Sequence, residues 1–246
     1  MNIRRVVRKL VPNQVMERYW RFRRESGAPE WSRLFSKFNE SYNVLSMADF
    51  MAAVDSARFY ERNLMACKLA EDDFKLLDLA NSWRSLDGLS LEFGVASGRT
   101  INHIAKLIVP DKVYGFDWFG GLPETWRPGF SAGSFAQKMP DVDDNVQLIT
   151  GLFGDTLPAF IETHPGIISF LHIDCDLYSS TKVILDNCSS RIVPGTVIVF
   201  DEYFNYPGWR QHEFRAFREY ISASGRHFEY LGFVPKHQQV CVRITA

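Results

Sequence analysis

The sequence predicts an α/β protein built on a doubly wound, mostly parallel sheet. From Leu89 onward, short apolar runs alternate with segments of helical periodicity, which is the pattern of successive βαβ units. The C-terminal stretch departs from this. His227–Phe233 and Gln238–Ile244 are extended runs on either side of Val234-Pro-Lys-His237, as an antiparallel hairpin closing the sheet requires. Composition agrees: 246 residues with 46% hydrophobic and 23% charged side chains can bury a sizeable core, and they exclude a mostly disordered or collagen-like chain.

The chain opens with Ile3, Val6, Val7 and Leu10 at helical spacing and arginines on the other face, a short basic amphipathic helix that Pro12 interrupts. A second helical stretch holds Val15, Met16, Tyr19 and Trp20, and Ser26-Gly-Ala-Pro29 breaks it. Between about Ser46 and Trp83 the sequence is rich in Ala, Leu, Met, Asp and Lys without Gly or Pro, which predicts two or so helices. Strands follow near 90–95, 113–117, 146–150, 167–174 and 195–200, with helices near 98–108, 155–163, 178–190 and 210–222. The expected division is an N-terminal helical extension over 1–85, its basic arm at 1–24, and a ligand-binding α/β domain over 86–246.

Charge is unevenly placed. The net charge is −1, but the arm holds eight basic residues against Glu17, leaving 20 basic and 28 acidic groups in the remainder. An acidic body of this kind predicts no nucleic-acid partner. The arm is a candidate for weak contact with a membrane surface or an acidic partner, with an ordinary packing helix favoured over a membrane anchor, and homo-oligomer contacts stay open. Cys67, Cys175, Cys188 and Cys241 lie far apart with no zinc spacing, no apolar run reaches membrane-span length, and no export signal is evident. Reduced thiols in a cytoplasmic protein are the expectation.

In an open α/β sheet ligands bind beyond the carboxyl ends of the strands, so the residues just after each strand carry the information. Glu92-Phe-Gly94-Val-Ala96-Ser-Gly98-Arg99-Thr100 is a small-residue turn that lets a ligand approach the backbone and a helix N-terminus, or is simply a tight turn. Ala96 and Arg99 stand where a dinucleotide fingerprint needs glycines, which argues against a nicotinamide oxidoreductase. Asp117 ends the second strand 23 residues after Gly94, where an acidic side chain can accept the hydroxyls of an adenosine ribose or simply cap the turn. Asp155 is placed either to meet an adenine amino group or to cap the helix beside it.

Asp174, Asp201 and Glu202 then fall at two adjacent strand ends. Packed carboxylates repel unless a proton or cation neutralises them, and hard oxygen ligands suit Mg²⁺. Asp176 as a helix cap and Asp201-Glu202 as a solvated turn are the alternatives. Two aromatic loops, Trp118–Phe130 and Tyr203–Trp209, flank this acidic edge as a surface for a sugar ring or planar hydroxylated molecule. Gly129-Phe-Ser131-Ala-Gly133 matches a nucleophile elbow in letters, but Arg127 and Pro128 precede it where a buried strand is needed. Among His103, His172 and His212, only His212 is placed to reach a substrate, and a surface role is the reading favoured even for it.

With those residues in hand, the chain resembles class I S-adenosylmethionine-dependent methyltransferases, and within them the macrocin O-methyltransferase family of metal-dependent sugar and natural-product enzymes. The match covers roughly 88–246 and rests on LEFGVASGRT, YGFDWFGGLPE, GLFGDTLP, HIDCDLYSST and PGTVIVFDEY in order. The resemblance implies a Rossmann-like fold with a closing antiparallel hairpin. It implies that Glu92, Gly94 and Gly98 shape the methionine pocket, that Asp117 holds the ribose, and that Asp174, Asp201 and Glu202 bind Mg²⁺. Two departures stand out: Glu202 replaces the family's commoner aspartate, and the loop after Asp117 lacks a histidine base. The expected reaction is O-methyl transfer to a small hydroxylated molecule, with Asp174 as metal ligand and proton acceptor and Asp176 or His212 as substitutes. A non-catalytic module that binds S-adenosylmethionine or a sugar is the alternative.

Overall fold

The computed structural model describes residues 43–246; the expected basic arm and the first two helices lie outside them. The described elements are α1 (Val44–Asn63), β1 (Lys68–Leu69), α2 (Asp73–Ser82), β2 (Leu89–Phe93), α3 (Arg99–Ile108), β3 (Val113–Asp117), β4 (Val146–Thr150), α4 (Phe153–Thr163), β5 (Ile168–Ile173), α5 (Tyr178–Cys188), β6 (Ile192–Phe200), a 3₁₀ turn at Trp209–Gln211, α6 (Glu213–Ser224), β7 (Phe228–Phe233) and β8 (Val240–Ile244). The compact unit that carries the sheet runs from Asp55 to Ala246.

The eight strands lie in the order β1-β7-β8-β6-β5-β2-β3-β4. Only β8 runs against its neighbours, pairing antiparallel with β6 and β7. This is the expected doubly wound, mostly parallel α/β sheet with its C-terminal hairpin. β1 is an addition: two residues pairing parallel with β7 through Lys68 and Leu69. The segment read as helical preface therefore supplies an edge strand, and α2 packs on the sheet with it.

Central strands form where the sequence is apolar without interruption, because helices cover both faces. All six residues of β5 are buried. One face packs against α4, α5 and α6 through Leu91, Phe93, Leu171, Ile173 and Phe200, with Leu157, Leu185 and Phe217 from the helices. The other packs Phe170, Val197 and Val199 against Leu76, Leu77, Ile101 and Ile104 of α2 and α3. Helix α3 buries Thr100, Ile101, Ile104, Ala105 and Ile108, a single stripe at helical spacing. Helix α2 starts where the Asp72 side chain accepts from the Lys75 N–H at 2.8 Å. No helix among the described residues is long and apolar enough to cross a membrane.

The chain order reverses between β2 and β5: β3 and β4 extend the sheet one way, β6 the other. This switch point opens a crevice between neighbouring strand ends, and it sets the place of the site.

Candidate active site

Phe93 and Ile173 are register partners at the ends of β2 and β5, and the Asp174 N–H donates to the Phe93 carbonyl at 2.9 Å. The turn after β2 begins with Gly94 at φ +94°, where a Cβ would sit 1.6 Å from the Asp174 carbonyl oxygen. Only glycine fits so close a crossing. Ala96 follows at φ +45°, and its N–H donates to Asp117 Oδ2 at 2.8 Å, while Phe119 N–H donates to Oδ1 at 2.7 Å. Asp117 thus fastens the turn after β2 to the loop after β3, and each of its oxygens keeps acceptor capacity for a ligand. Gly98, at φ +79°, opens α3 without a side-chain cap.

These segments border a cavity of about 490 Å³ whose wall includes Gly94, Ala96, Asp117, Asp174, Asp176 and Glu202, with Trp118, Phe135 and Phe153 as aromatic surface. Its size suits a small-molecule ligand. Gly98 stands just before Arg99 and Thr100, which are on the wall. Glu92 lies beneath it, fully buried, accepting from Thr100 Oγ1 at 2.6 Å and 3.7 Å from His172 Nδ1. Asp155 is exposed in the first turn of α4, and its neighbour Gly154 lines the cavity instead. Asp201 is not on the wall, and Gln239 Nε2 donates to it at 3.0 Å.

The acidic edge is denser than the sequence indicated. His172, Asp174 and Asp201 each present a ligand atom within 4.8 Å of the others. Asp176 and Glu202 interact electrostatically with this group, and so does Glu213, the fully buried first residue of α6, whose Oε2 accepts the Glu202 N–H at 3.1 Å. Burial and then the neighbouring carboxylates push the Asp174, Glu202 and Glu213 carboxyls well above the usual range. Burial, then Asp201, lifts Asp176 to about 7, although Arg127 opposes it. Burial alone would lower the His172 pKa, but Glu92 and more distant carboxylates raise it.

A carboxyl that titrates near 4 unfolded and near 7 folded stabilises the fold below pH 4, and that contribution is lost as pH rises through 7. In a chelator, the melting temperature should therefore fall by at least about 5 °C between pH 5 and pH 8. A flat or rising profile in thermal unfolding followed by circular dichroism contradicts this charge arrangement.

The residues present fit a divalent cation. Glu202 Oε2 and Glu213 Oε1 are sealed and without a hydrogen-bond partner among the described residues, as is His172 Nδ1. From sequence alone His172 is set aside in favour of His212 because it lies inside an apolar strand; its alternation with Asp174 along β5 and its extension is the signal. Glu213 resembles any acidic residue in a helix's first turn. Arg99 pairs with Asp73 and lies over the Phe74 ring at 4.6 Å, bringing a cation to the same wall.

The two aromatic loops meet beside this edge. Trp126 packs on Tyr206 at 5.6 Å and on His212 at 6.2 Å, and the Arg127 guanidinium lies 3.8 Å from the Trp126 ring centroid and 4.7 Å from that of Tyr206. His212 is half-buried and off the cavity wall; burial, then Arg127, lowers its pKa. Ser131 is exposed in a loop with no strand before it, so no nucleophile elbow forms.

A family model described as a methyltransferase domain matches residues 91–203. Over that stretch, just under half of its length, the chain is similar to methyltransferase domains. Over 62 residues it is 37% identical to an 8-demethyl-8-(2,3-dimethoxy-alpha-L-rhamnosyl)-tetracenomycin-C 4'-O-methyltransferase of Streptomyces olivaceus, covering 25% of this chain and 23% of that protein's length. The crystal structure of the calicheamicin methyltransferase CalS11 is similar in fold, with a TM-score of 0.58 and 23% identity over 70% of this chain and 78% of that one. The O-methyltransferase NovP gives 0.56 and 20%, covering 70% and 79%. The matched residues include the turn after β2, Asp117, the acidic strand ends and Tyr203.

Proposed function

We propose that the chain is an O-methyltransferase that moves the methyl group of S-adenosylmethionine to a hydroxyl of a sugar or sugar-bearing natural product, assisted by a divalent cation. The observation that carries this reading is the position of Asp174: its backbone crosses the cofactor turn at Gly94 while its side chain enters the acidic cluster. One residue joins the two half-sites that methyl transfer must bring within bonding distance.

Gly94, Gly98 and the buried Glu92–Thr100 pair shape the turn for the methionine portion, and Asp117 accepts the ribose hydroxyls. Asp155 is kept as a contact to the adenine edge. Asp174 and Asp201 with His172 would hold the cation, Glu202 alongside, and Mg²⁺ suits so oxygen-rich a set. When bound, it supplies charge that makes an acceptor hydroxyl more acidic. The Asp174 carboxylate accepts the hydroxyl proton as the acceptor oxygen forms its bond to the methyl carbon and the carbon–sulfur bond breaks, leaving S-adenosylhomocysteine. Trp118, Phe135 and the Trp126–Tyr206 contact offer ring faces to the acceptor. The rhamnosyl substrate in the Streptomyces olivaceus relative's name is the reason for placing a sugar there. On this reading 86–246 are the cofactor-binding domain and 1–85 its helical extension, with residues 55–85 built into the sheet unit.

Titration calorimetry with S-adenosylhomocysteine tests the cofactor half. Micromolar binding is expected, weakened at least about tenfold by Asp117→Ala, which removes ribose acceptors and unfastens both loops. No binding to the wild-type chain rejects the methyltransferase reading. Methyl transfer to a panel of nucleotide-linked deoxysugars, with Mg²⁺ and with chelator, tests the rest; turnover indifferent to the chelator removes the cation.

A further inference from the structure

A second concavity, of about 440 Å³, opens between α1, the 3₁₀ turn, α6 and β7 and shares no lining residue with the first. Arg58, Arg62, Arg210 and Arg218 line it, and Asp55 is its only acidic lining residue among the described residues. Asp55 is committed to Arg210 through two contacts, Nε to Oδ2 at 2.8 Å and Nη2 to Oδ1 at 3.1 Å. Arg210 is further set by stacking on Trp209, 4.0 Å from the ring centroid. Arg58, Arg62 and Arg218 form no ion pair among the described residues, and although Asp55 also acts electrostatically on Arg58, a single carboxylate faces four cationic side chains on the described lining. Arg58 and Arg62 stand one turn apart on a helix face, an arrangement that repels unless an anion is shared. The protein as a whole is slightly acidic, so this concentration of positive charge is local. Beneath it, Phe59 and Phe214 meet edge to face at 5.8 Å.

We propose that this pocket binds the diphosphate group of a small molecule, with Arg58, Arg62 and Arg218 donating hydrogen bonds to the phosphate oxygens and Arg210 as the fixed wall. Guanidinium groups present planar, paired N–H donors that match phosphate oxygens, and their convergence above an aromatic floor leaves room for a ring carried by the diphosphate. The site is distinct from the catalytic cavity and stands whether or not methyl transfer is confirmed.

The test titrates the full-length chain, in chelator, with inorganic pyrophosphate and with uridine diphosphate. Dissociation constants of about 10–100 µM are expected for at least one, weakened at least about tenfold in the Arg58→Gln/Arg62→Gln pair and unchanged in the control Lys106→Gln. Equal affinity for the two ligands assigns recognition to the phosphates; tighter uridine diphosphate adds the ring. Saturating S-adenosylhomocysteine should not compete. If the double variant melts more than about 5 °C below wild type, Arg218→Gln alone is read in its place. Absence of binding by both ligands at 1 mM, affinity that survives these substitutions, or displacement by S-adenosylhomocysteine overturns the proposal.

Discussion

Asp174→Asn should lower methyl transfer at least about a thousandfold while S-adenosylhomocysteine still binds within about threefold of wild type. The substitution keeps side-chain size and the backbone crossing at Gly94, so the cofactor turn is undisturbed. It removes a negative charge shared with Asp201 and the only proton acceptor that the site places on both half-sites. Two losses coincide: the acceptor hydroxyl keeps its proton, and the cation site is reduced to one carboxylate and a histidine among the atoms that converge within 4.8 Å. Raising Mg²⁺ separates them. Recovery to near wild-type turnover at high Mg²⁺ shows that Asp174 acts only as a ligand; persistent inactivity assigns it the proton. Turnover within tenfold of wild type in ordinary buffer rejects both roles.

Gly94→Ala should destabilise the fold by about 3 kcal/mol or more, lowering the melting temperature by roughly 10 °C and abolishing cofactor binding. A Cβ there meets the Asp174 carbonyl at 1.6 Å, and both atoms belong to strand ends held by hydrogen bonds, so no flexible side chain can yield. Gly129→Ala is the matched comparison. It carries a similar φ of +92° but has nothing within 4 Å of a Cβ, so only the backbone cost of about 1 kcal/mol remains. Equal melting temperatures for the two variants contradict the close crossing.

The order of strands and helices was legible because each buried parallel strand is a continuous apolar run, bounded by residues that halt it. β1 was not: two residues give no alternation to detect, and their pairing with Gly232 and Phe233 is fixed from across the sheet. The strand-end acids were readable for the reason the fold was, since a doubly wound sheet delivers its loops to one edge. Which of them share a wall was not. Glu92 is fully buried and off it, Asp155 stands in an exposed helix turn, and Asp201 is off the wall and accepts from Gln239. His172 and Glu213 enter the cluster only once strand alternation and the start of α6 are fixed in three dimensions, information that spacing along one chain does not hold.

The Asp117 carboxylate carries a consequence for how this protein can change. By holding Ala96 and Phe119 at once, it makes the turn after β2 and the start of the loop after β3 one mechanical part, so a mutation that loosens either also loosens the other. Beyond Phe119 that constraint ends. The stretch from Gly120 to Phe135 reaches the cavity through Gly121, Leu122, Pro123 and Phe135 without being clamped by the same side chain. Under the proposed function, new acceptors are to be gained by diversifying that stretch in a library that leaves 94–119 as it is.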